Sequence, residues 1–211
     1  MIKILIADDH PILRQGLVKI LSAAPDLQVV GEAQNAKEII DLVKKNECDV
    51  VILDITMPDR NGLDVLEQIK REKPQTSVLM LSVHKEELYA KQAFKAGAAG
   101  YMTKESVPDE LVGAIRMIAS GKRHISPAFA EKLLFETEHQ DIDKPLHEML
   151  SNREFQIMLM IASGLTPKVI SEKLFISVKT VNTYRDRILE RMSFKTNADI
   201  TRYAVLNKLI E

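Results

Sequence analysis

The amino-acid sequence predicts an α/β domain with a five-stranded, doubly wound parallel sheet, joined by a linker to an all-α domain of four helices. Two observations support this prediction. Apolar, β-branched runs alternate with helical patterns through residues 1–121, and capped helical patterns without strands fill residues 148–211. A length of 211 residues suits one ordinary domain and one small domain.

The first domain contains five short apolar runs that are typical of buried strands. The predicted strands are Ile2–Ala7, Val29–Ala33, Val50–Leu53, Val78–Ser82 and Gly100–Met102. Helical patterns separate them, with apolar residues at three- and four-residue spacing, as in Leu111, Ile115 and Ile118. Strands that alternate with helices form a parallel sheet covered on both faces, and ligands bind beyond the carboxyl ends of its strands.

Polar residues follow four of the five predicted strands. Asp8 and Asp9 come after the first strand, Asp54 after the third, Ser82 at the end of the fourth and Lys104 just after the fifth. Alone, each is more often a helix cap or an exposed charge. Together, the carboxylates are suited to Mg²⁺, which takes oxygen ligands and relieves their repulsion. A metal and a lysine can also stabilise a phosphoryl group while a carboxylate attacks phosphorus, so we predict an aspartyl phosphorylation site.

The net charge changes sign along the chain. Residues 1–121 carry 15 Lys+Arg and 18 Asp+Glu, residues 122–148 carry 4 and 6, and residues 149–211 carry 10 and 6. The basic second domain permits nucleic-acid binding without requiring it. Apolar runs are far shorter than the roughly 20 residues that span a bilayer, so we expect no membrane segment and a cytoplasmic location. Cys48 is the only cysteine, which excludes an internal disulfide.

Residues 122–147 are expected to form a linker that contains a short helix. Ser126 is expected to cap this helix, which begins at Pro127 and extends to Phe135. An acidic stretch of few apolar residues follows at 136–144. His139 and His147 lie near acids but show no metal-ligand spacing, and we expect them to be solvated.

The second domain shows the start signals of four helices. Ser151 and Glu154 form a capping box, Thr166-Pro167 and Ser177 open the next two helices, and a second capping pattern begins at Thr196. The two middle helices have the dimensions of a helix-turn-helix with its core at 167–186. On its second helix we expect Val178, Val181 and Ile188 to face the core. The residues expected to point outward are Lys179, Thr180, Asn182, Thr183, Asp186 and Arg187.

That polar face suits the DNA major groove, where amides and hydroxyls read base edges and cations meet phosphates. An ordinary amphipathic helix has the same periodicity, so the pattern alone leaves both interpretations open.

The first domain resembles the receiver domain of two-component response regulators over residues 1 to about 121. The matching motifs are Asp8-Asp9-His10-Pro11, Leu53 to Pro58 with Gly62, Ser82, and Tyr101 to Lys104. The resemblance implies a flavodoxin-like fold with Asp54 as the phosphoacceptor. It implies that Asp9, Asp54 and the backbone carbonyl of Thr56 bind Mg²⁺ directly and that Asp8 acts on the ion mainly through water. It also implies that Ser82 and Tyr101 move on phosphorylation and that Lys104 pairs with phosphate.

Two positions in this domain bear on the backbone. Glu105 stands where many receivers have proline, and we expect a trans peptide bond there. Gly62 is expected to shape the loop after Asp54, since glycine allows positive φ.

Residues 149–211 resemble the LuxR-type helix-turn-helix of NarL/FixJ-class regulators. The matching motifs are Leu150 to Glu154, Ile161 to Gly164, Ile170 to Leu174 and Ser177 to Arg185. The resemblance implies that Asn182, Thr183 and Asp186 face bases and that Lys179 and Arg187 contact the DNA backbone. The corresponding last helix dimerises in the family, so the dimerisation candidates are Ile200, Tyr203 and Ala204. The alternative is that this apolar face closes the domain core.

The resemblances imply three partners: a sensor histidine kinase, promoter DNA and a second copy of the chain on DNA. Two other functions stay open. A phosphatase or phosphotransferase would use the same aspartyl chemistry, but such enzymes usually need a second acid, and Thr56 occupies its position. An atypical receiver would bind DNA without accepting phosphate, which the intact set of acids disfavours.

Overall fold

The computed structural model describes residues 1–83, 86–127, 129–131 and 145–210. The chain divides into two compact units, Met1–His139 and Gln140–Glu211. Within the described ranges, no helix has both the length and the apolar character needed to span a membrane.

The first unit is built on a five-stranded parallel sheet in the order β2-β1-β3-β4-β5. The strands are β1 (Ile2–Ala7), β2 (Leu27–Ala33), β3 (Val50–Asp54), β4 (Ser77–Ser82) and β5 (Gly100–Thr103). Each strand begins and ends within two residues of its predicted bounds. Ile4, Leu5 and Ile6 of β1 are fully buried, which is typical of a parallel strand covered on both faces.

Four helices connect these strands, α1 (Pro11–Ser22), α2 (Ala36–Lys45), α3 (Gly62–Glu72) and α4 (Glu86–Lys95), and a fifth, α5 (Val107–Ala119), follows β5. Leu17 of α1 and Ile115 of α5 share a core cluster with Ile4 and Ile6 on one face of the sheet. Helices α2, α3 and α4 contact β1, β3 and β5 and cover the other face. The predicted doubly wound fold is therefore confirmed.

The chain that follows α5 packs against the first unit. His124 pairs with Gly100 of β5, and the ring of Phe129 stacks on Phe94 of α4 at 6.4 Å. The Ser126 hydroxyl accepts a hydrogen bond from the backbone N–H of Phe129, as expected for a helix cap. The sequence assigned residues 122–147 to a linker. Two of its described residues, His124 and Phe129, contact β5 and α4 of the first unit. The expected end of the short helix at Phe135 and the acidic stretch at 136–144 lie outside the described residues.

The second unit contains a short 3₁₀ helix (Leu146–Met149) and four α-helices, α6 (Asn152–Ala162), α7 (Pro167–Leu174), α8 (Val178–Arg191) and α9 (Asn197–Leu206). Both predicted capping boxes are present, Ser151 with Glu154 and Thr196 with Asp199. The core includes Phe155, Val181 and Ile188, each fully buried.

Three expectations about this unit are wrong. Val178 was expected in the core, but it is 42% exposed at the first position of α8, one turn before the fully buried Val181. Ile200 and Ala204 were dimerisation candidates, but both are fully buried where α9 packs against α6, so they close the domain core. His147 was expected to be solvated, but its Nδ1 lies 2.9 Å from the Tyr203 hydroxyl and its ring stacks on Phe155.

Candidate phosphorylation site and DNA-reading helix

The carboxyl ends of β1 and β3, which are adjacent in the sheet, bring acidic residues together. Asp8 is fully buried and Asp54 is 1% exposed. The Nζ atom of Lys104 lies 2.8 Å from Asp8 Oδ2 and 2.7 Å from Asp54 Oδ2. The structure therefore brings together Asp8, Asp9, Asp54 and Lys104 at one edge of the sheet, and it adds His10 to the group.

The electrostatics of this cluster depend on burial. Desolvation, with the nearby charge of Asp8, raises the pKa of Asp54 to about 6 despite the attraction of Lys104. Burial alone would lower the pKa of Lys104, but the charges of Asp54 and Asp8 outweigh it and raise that pKa above its usual value. The lysine therefore carries its positive charge beside the carboxylates at neutral pH.

The acidic cluster has the donor set of a site for a hard cation. One ligand atom from each of Asp8, Asp9, His10 and Asp54 lies within 4.8 Å of the others. Asp8 Oδ2 and Asp9 Oδ1 are buried, and Lys104 Nζ and His10 Nδ1 lie 2.8 Å and 2.7 Å from them at ion-pair distance. Buried carboxylate oxygens that converge in this way suit Mg²⁺, which takes oxygen ligands.

Replacing Asp9 by asparagine is expected to weaken Mg²⁺ binding at least tenfold, because it removes one negative charge from the cluster. Isothermal titration calorimetry of wild type and Asp9→Asn measures this directly. Asp59→Asn is the matched control, since the exposed Asp59 carboxylate caps α2 by accepting from the N–H groups of Ala36 and Lys37. Equal Mg²⁺ affinity for Asp9→Asn and wild type would contradict the metal assignment.

The loop after Asp54 holds that carboxylate in place. The backbone N–H of Thr56 donates to Asp54 Oδ1 at 3.1 Å, and Thr56 pairs with Asn61 across the loop. Gly62, expected to supply positive φ, does not have it. It is required for space instead, because a Cβ there would collide with the backbone oxygen of Asp54 and lie 2.8 Å from Ile55 Cα.

The two residues expected to move on phosphorylation are both buried. Ser82 at the end of β4 is 1% exposed and Tyr101 of β5 is 2% exposed. The Ser82 carbonyl accepts a 2.7 Å hydrogen bond from the backbone N–H of Lys104, so the ends of β4 and β5 are tied together. Tyr89 of α4 is buried too, and burial with Tyr101 nearby raises its pKa above the usual value. As expected, the peptide bond at Glu105 is trans.

Arg14 is a residue of this site that the sequence analysis did not identify. Its guanidinium is largely buried, donates to the backbone oxygen of Asp8 at 2.7 Å, and lies 3.2 Å from the Glu32 carboxylate. The signal in the sequence was its position: Arg14 shares a helix face with the buried Leu17 and Leu21, three and seven residues later. A charge on a core face needs partners, and here one partner is the loop that carries the acids.

The polar face of α8 is exposed as predicted. Lys179, Asn182, Thr183, Asp186 and Arg187 are exposed, and Thr180 is half-buried. The Thr180 hydroxyl lies 2.8 Å from the Ser177 hydroxyl at the start of the helix.

Asp186, an unusual residue for a surface that meets phosphate, forms an ion pair of 3.1 Å with Arg185. Arg185 in turn donates to the Asn197 side chain at 2.6 Å, at the first turn of α9. The neighbouring arginine therefore partly neutralises the negative charge of Asp186.

A buried aspartate cluster with a lysine on a doubly wound sheet, together with a helix-turn-helix, defines a DNA-binding response regulator. The response regulator receiver domain matches residues 4–116, and the luxR family of bacterial regulatory proteins matches residues 148–204. The chain belongs to the NarL/FixJ class of response regulators, a family of phosphorylation-controlled transcription regulators and not of enzymes.

Three similar proteins illustrate the relationship. The chain is 39% identical over 212 residues to the response regulator GacA of Pseudomonas aeruginosa, covering 100% of this chain and 99% of GacA. It is 37% identical over 210 residues to the response regulator UvrY of Escherichia coli K12, covering 99% and 96%. A solved structure of the two-component response regulator RcsB in complex with DNA is similar with a TM-score of 0.59 and 25% identity, covering 97% of this chain and 98% of that chain.

Proposed function

We propose that Asp54 accepts a phosphoryl group from a sensor histidine kinase and that the phosphorylated chain binds promoter DNA as a dimer in the cytoplasm. The observation that carries the phosphorylation half is the 2.7 Å contact between Lys104 Nζ and Asp54 Oδ2 in a buried cluster of acids. The lysine neutralises part of the charge that a phosphoryl group would bring to this carboxylate.

In the proposed reaction, an Asp54 carboxylate oxygen attacks phosphorus as the bond from phosphorus to the kinase histidine breaks. Asp9, Asp54 and the Thr56 carbonyl would hold Mg²⁺ directly, with Asp8 acting mainly through water. When bound, Mg²⁺ supplies positive charge that stabilises the phosphoryl oxygens. The chain's own contribution is to fix Asp54 through the Thr56 N–H and to keep Lys104 charged beside it.

Phosphorylation is proposed to act on the neighbouring strands. The added phosphoryl group brings nearly two negative charges beside Lys104, which favours a hydrogen bond from the Ser82 hydroxyl and inward packing of Tyr101. Ser82 ends β4 and Tyr101 lies in β5, so the change reaches the strands that α4 and α5 contact from opposite faces of the sheet. That shift is proposed to release the DNA-binding unit or to favour dimers.

The dimer surface on α9 is proposed to lie beside the original candidates. Val205 and Leu206 are 51% and 71% exposed, whereas Ile200 and Ala204 are buried. Tyr203 is half-buried and already holds His147. Pairing two copies on adjacent half-sites would supply the affinity that one small domain lacks.

The test of the proposed function is binding of the full chain to genomic DNA fragments with and without a small acyl phosphate donor and Mg²⁺. We expect the donor to label the protein and to strengthen binding to a small set of fragments. Labelling without any change in DNA binding would contradict the switch, and DNA binding without labelling would indicate an atypical receiver.

The two kinds of residue on α8 are expected to differ in what they contribute. Lys179→Ala should weaken binding to all sequences alike and reduce the salt dependence, because it removes a phosphate contact. Asn182→Ala should weaken specific binding about 10-fold to 100-fold and relax the preference at one base pair. Titrations at several salt concentrations separate the two effects, with Lys208→Ala as the control for loss of a charge. Equal salt slopes for both α8 variants would contradict these roles.

A further inference from the structure

Two apolar side chains lie exposed where the helix-turn-helix turn meets α8. Phe175, which follows α7, is 77% exposed, and Val178, the first residue of α8, is 42% exposed. We call these two residues the turn patch. Leu174 and Val181 on either side are fully buried, so the domain core ends at the edges of the patch and leaves the patch itself uncovered.

The backbone conformation at Phe175 does not favour a phenylalanine at this position. Phe175 has φ 51° and ψ 41°, the left-handed conformation that glycine and asparagine adopt most easily at the end of a helix. Its own N–H and that of Ile176 both donate to the Ser171 carbonyl, which fixes the turn through backbone atoms. Neither backbone preference nor core packing favours a phenyl ring here, which points to a contact outside the domain.

The position of the turn patch indicates DNA as that contact. Val178 lies one turn before Asn182 on α8 and next to Lys179, so the patch continues the polar face proposed to read DNA. The first turn of α8 contains no acidic residue, and its N-terminal end and Lys179 are suited to nearby phosphates. In a helix-turn-helix, this end of the recognition helix enters the major groove.

Only one base presents an apolar group in the major groove, which is the 5-methyl of thymine. We propose that Phe175 and Val178 pack against a thymine methyl where α8 enters the groove, and that this contact selects thymine at one position of each half-site. This inference rests on the proposed function and adds to it the identity of a base that the polar residues do not specify.

The test compares thymine with deoxyuridine, which lacks only the methyl group. The full chain, treated with phosphodonor and Mg²⁺, is titrated against a fragment selected by genomic binding, with each thymine of the site replaced in turn. Burial of one methyl predicts about fourfold weaker binding at one position, or about 15-fold when both half-sites are changed. Thymines of the same fragment that lie outside the binding site serve as the DNA control.

Two variants connect that effect to the patch. Phe175→Gly and Val178→Ala should reduce the ratio of thymine to deoxyuridine affinity toward one at that position. Asn182→Ala, the matched control, should lower affinity but keep the ratio. Both patch variants are expected to fold, because glycine suits the left-handed position and alanine suits a helix, and thermal melting followed by circular dichroism verifies this.

The outcomes separate this inference from the proposed function. If wild type binds DNA but no thymine responds to deoxyuridine, or if the patch variants keep the wild-type ratio, the thymine contact is overturned and the proposed function stands. Equal weakening of thymine and deoxyuridine DNA by Phe175→Gly also overturns it, since the ring then contacts the DNA backbone or a protein. Failure of the wild type to bind any genomic fragment overturns the proposed function and this inference with it.

Discussion

Replacement of Asp54 by asparagine is expected to abolish phosphoryl transfer to this protein. The amide cannot act as the nucleophile. Among the described acids of the cluster, only Asp54 contacts both Lys104 Nζ, at 2.7 Å, and the Thr56 N–H, at 3.1 Å. Incorporation of labelled phosphate from an acyl phosphate donor should fall by roughly a hundredfold or more. The increase in DNA binding on addition of the donor should disappear with it.

Asp59→Asn is the control for this experiment, because it removes an exposed aspartate outside the acidic cluster. It should be labelled like wild type. Persistent labelling of Asp54→Asn at the wild-type rate would show that the phosphoacceptor lies elsewhere. If Asp54→Asn is no longer labelled but its DNA binding still increases with the donor, phosphorylation of Asp54 does not control DNA binding.

The same variant is expected to be more stable than wild type in EDTA. The folded protein holds the Asp54 proton more tightly than the unfolded chain does, because burial raises that pKa to about 6 from an ordinary value of 3.8. The stability that the protonated group contributes is present below pH 4 and is lost as the pH rises through 6. At pH 7.5, Asp54→Asn should therefore gain about 2 kcal/mol of unfolding free energy, and at pH 4 almost none.

Replacement of Gly62 by alanine is expected to damage both the fold and the site of the first unit. The added Cβ would collide with the backbone oxygen of Asp54 and lie 2.8 Å and 2.9 Å from Ile55 Cα and Asp54 C. These are backbone atoms of a buried strand end and cannot swing away as a side chain can. We expect a loss of about 3 kcal/mol in denaturant unfolding and slower labelling of the protein that remains folded.

Gly16→Ala provides the matched control for Gly62→Ala. Gly16 lies in α1, and a Cβ there would meet nothing within 4 Å. Alanine should therefore stabilise the helix by about 0.5–1 kcal/mol and leave labelling unchanged. Equal stability of the two variants would contradict the close approach between Gly62 and Asp54.

The acidic cluster was predictable because strand topology decides which residues meet. Once β1 and β3 are placed side by side and parallel, Asp8 and Asp54 must share one edge of the sheet. The capping boxes at Ser151 and Thr196 were also predictable, since each depends on atoms only three residues apart. Local and topological signals thus give most of the fold and the centre of the site.

The errors on α8 and α9 have a common physical cause: periodicity gives the direction of a side chain but not what lies in that direction. The apolar stripe through Ile200 and Ala204 was consistent with a dimer surface or with a core, and only the packing of α9 on α6 decides between them. Val178 lies at the end of the buried face of α8 and is 42% exposed. Gly62 was assigned a role in φ, whereas its role is to leave space.

The pairing of His124 with Gly100 joins the chain that leaves α5 to the edge strand β5. The carbonyl of His124 accepts a hydrogen bond from the backbone N–H of Tyr101, so the strand that carries the tyrosine is joined directly to the outgoing chain. Residue 124 is therefore tied to the strand that carries one of the residues proposed to move on phosphorylation. If phosphorylation and DNA binding are coupled as proposed, the coupling is reciprocal, so binding to promoter DNA should raise the phosphorylated fraction of the protein.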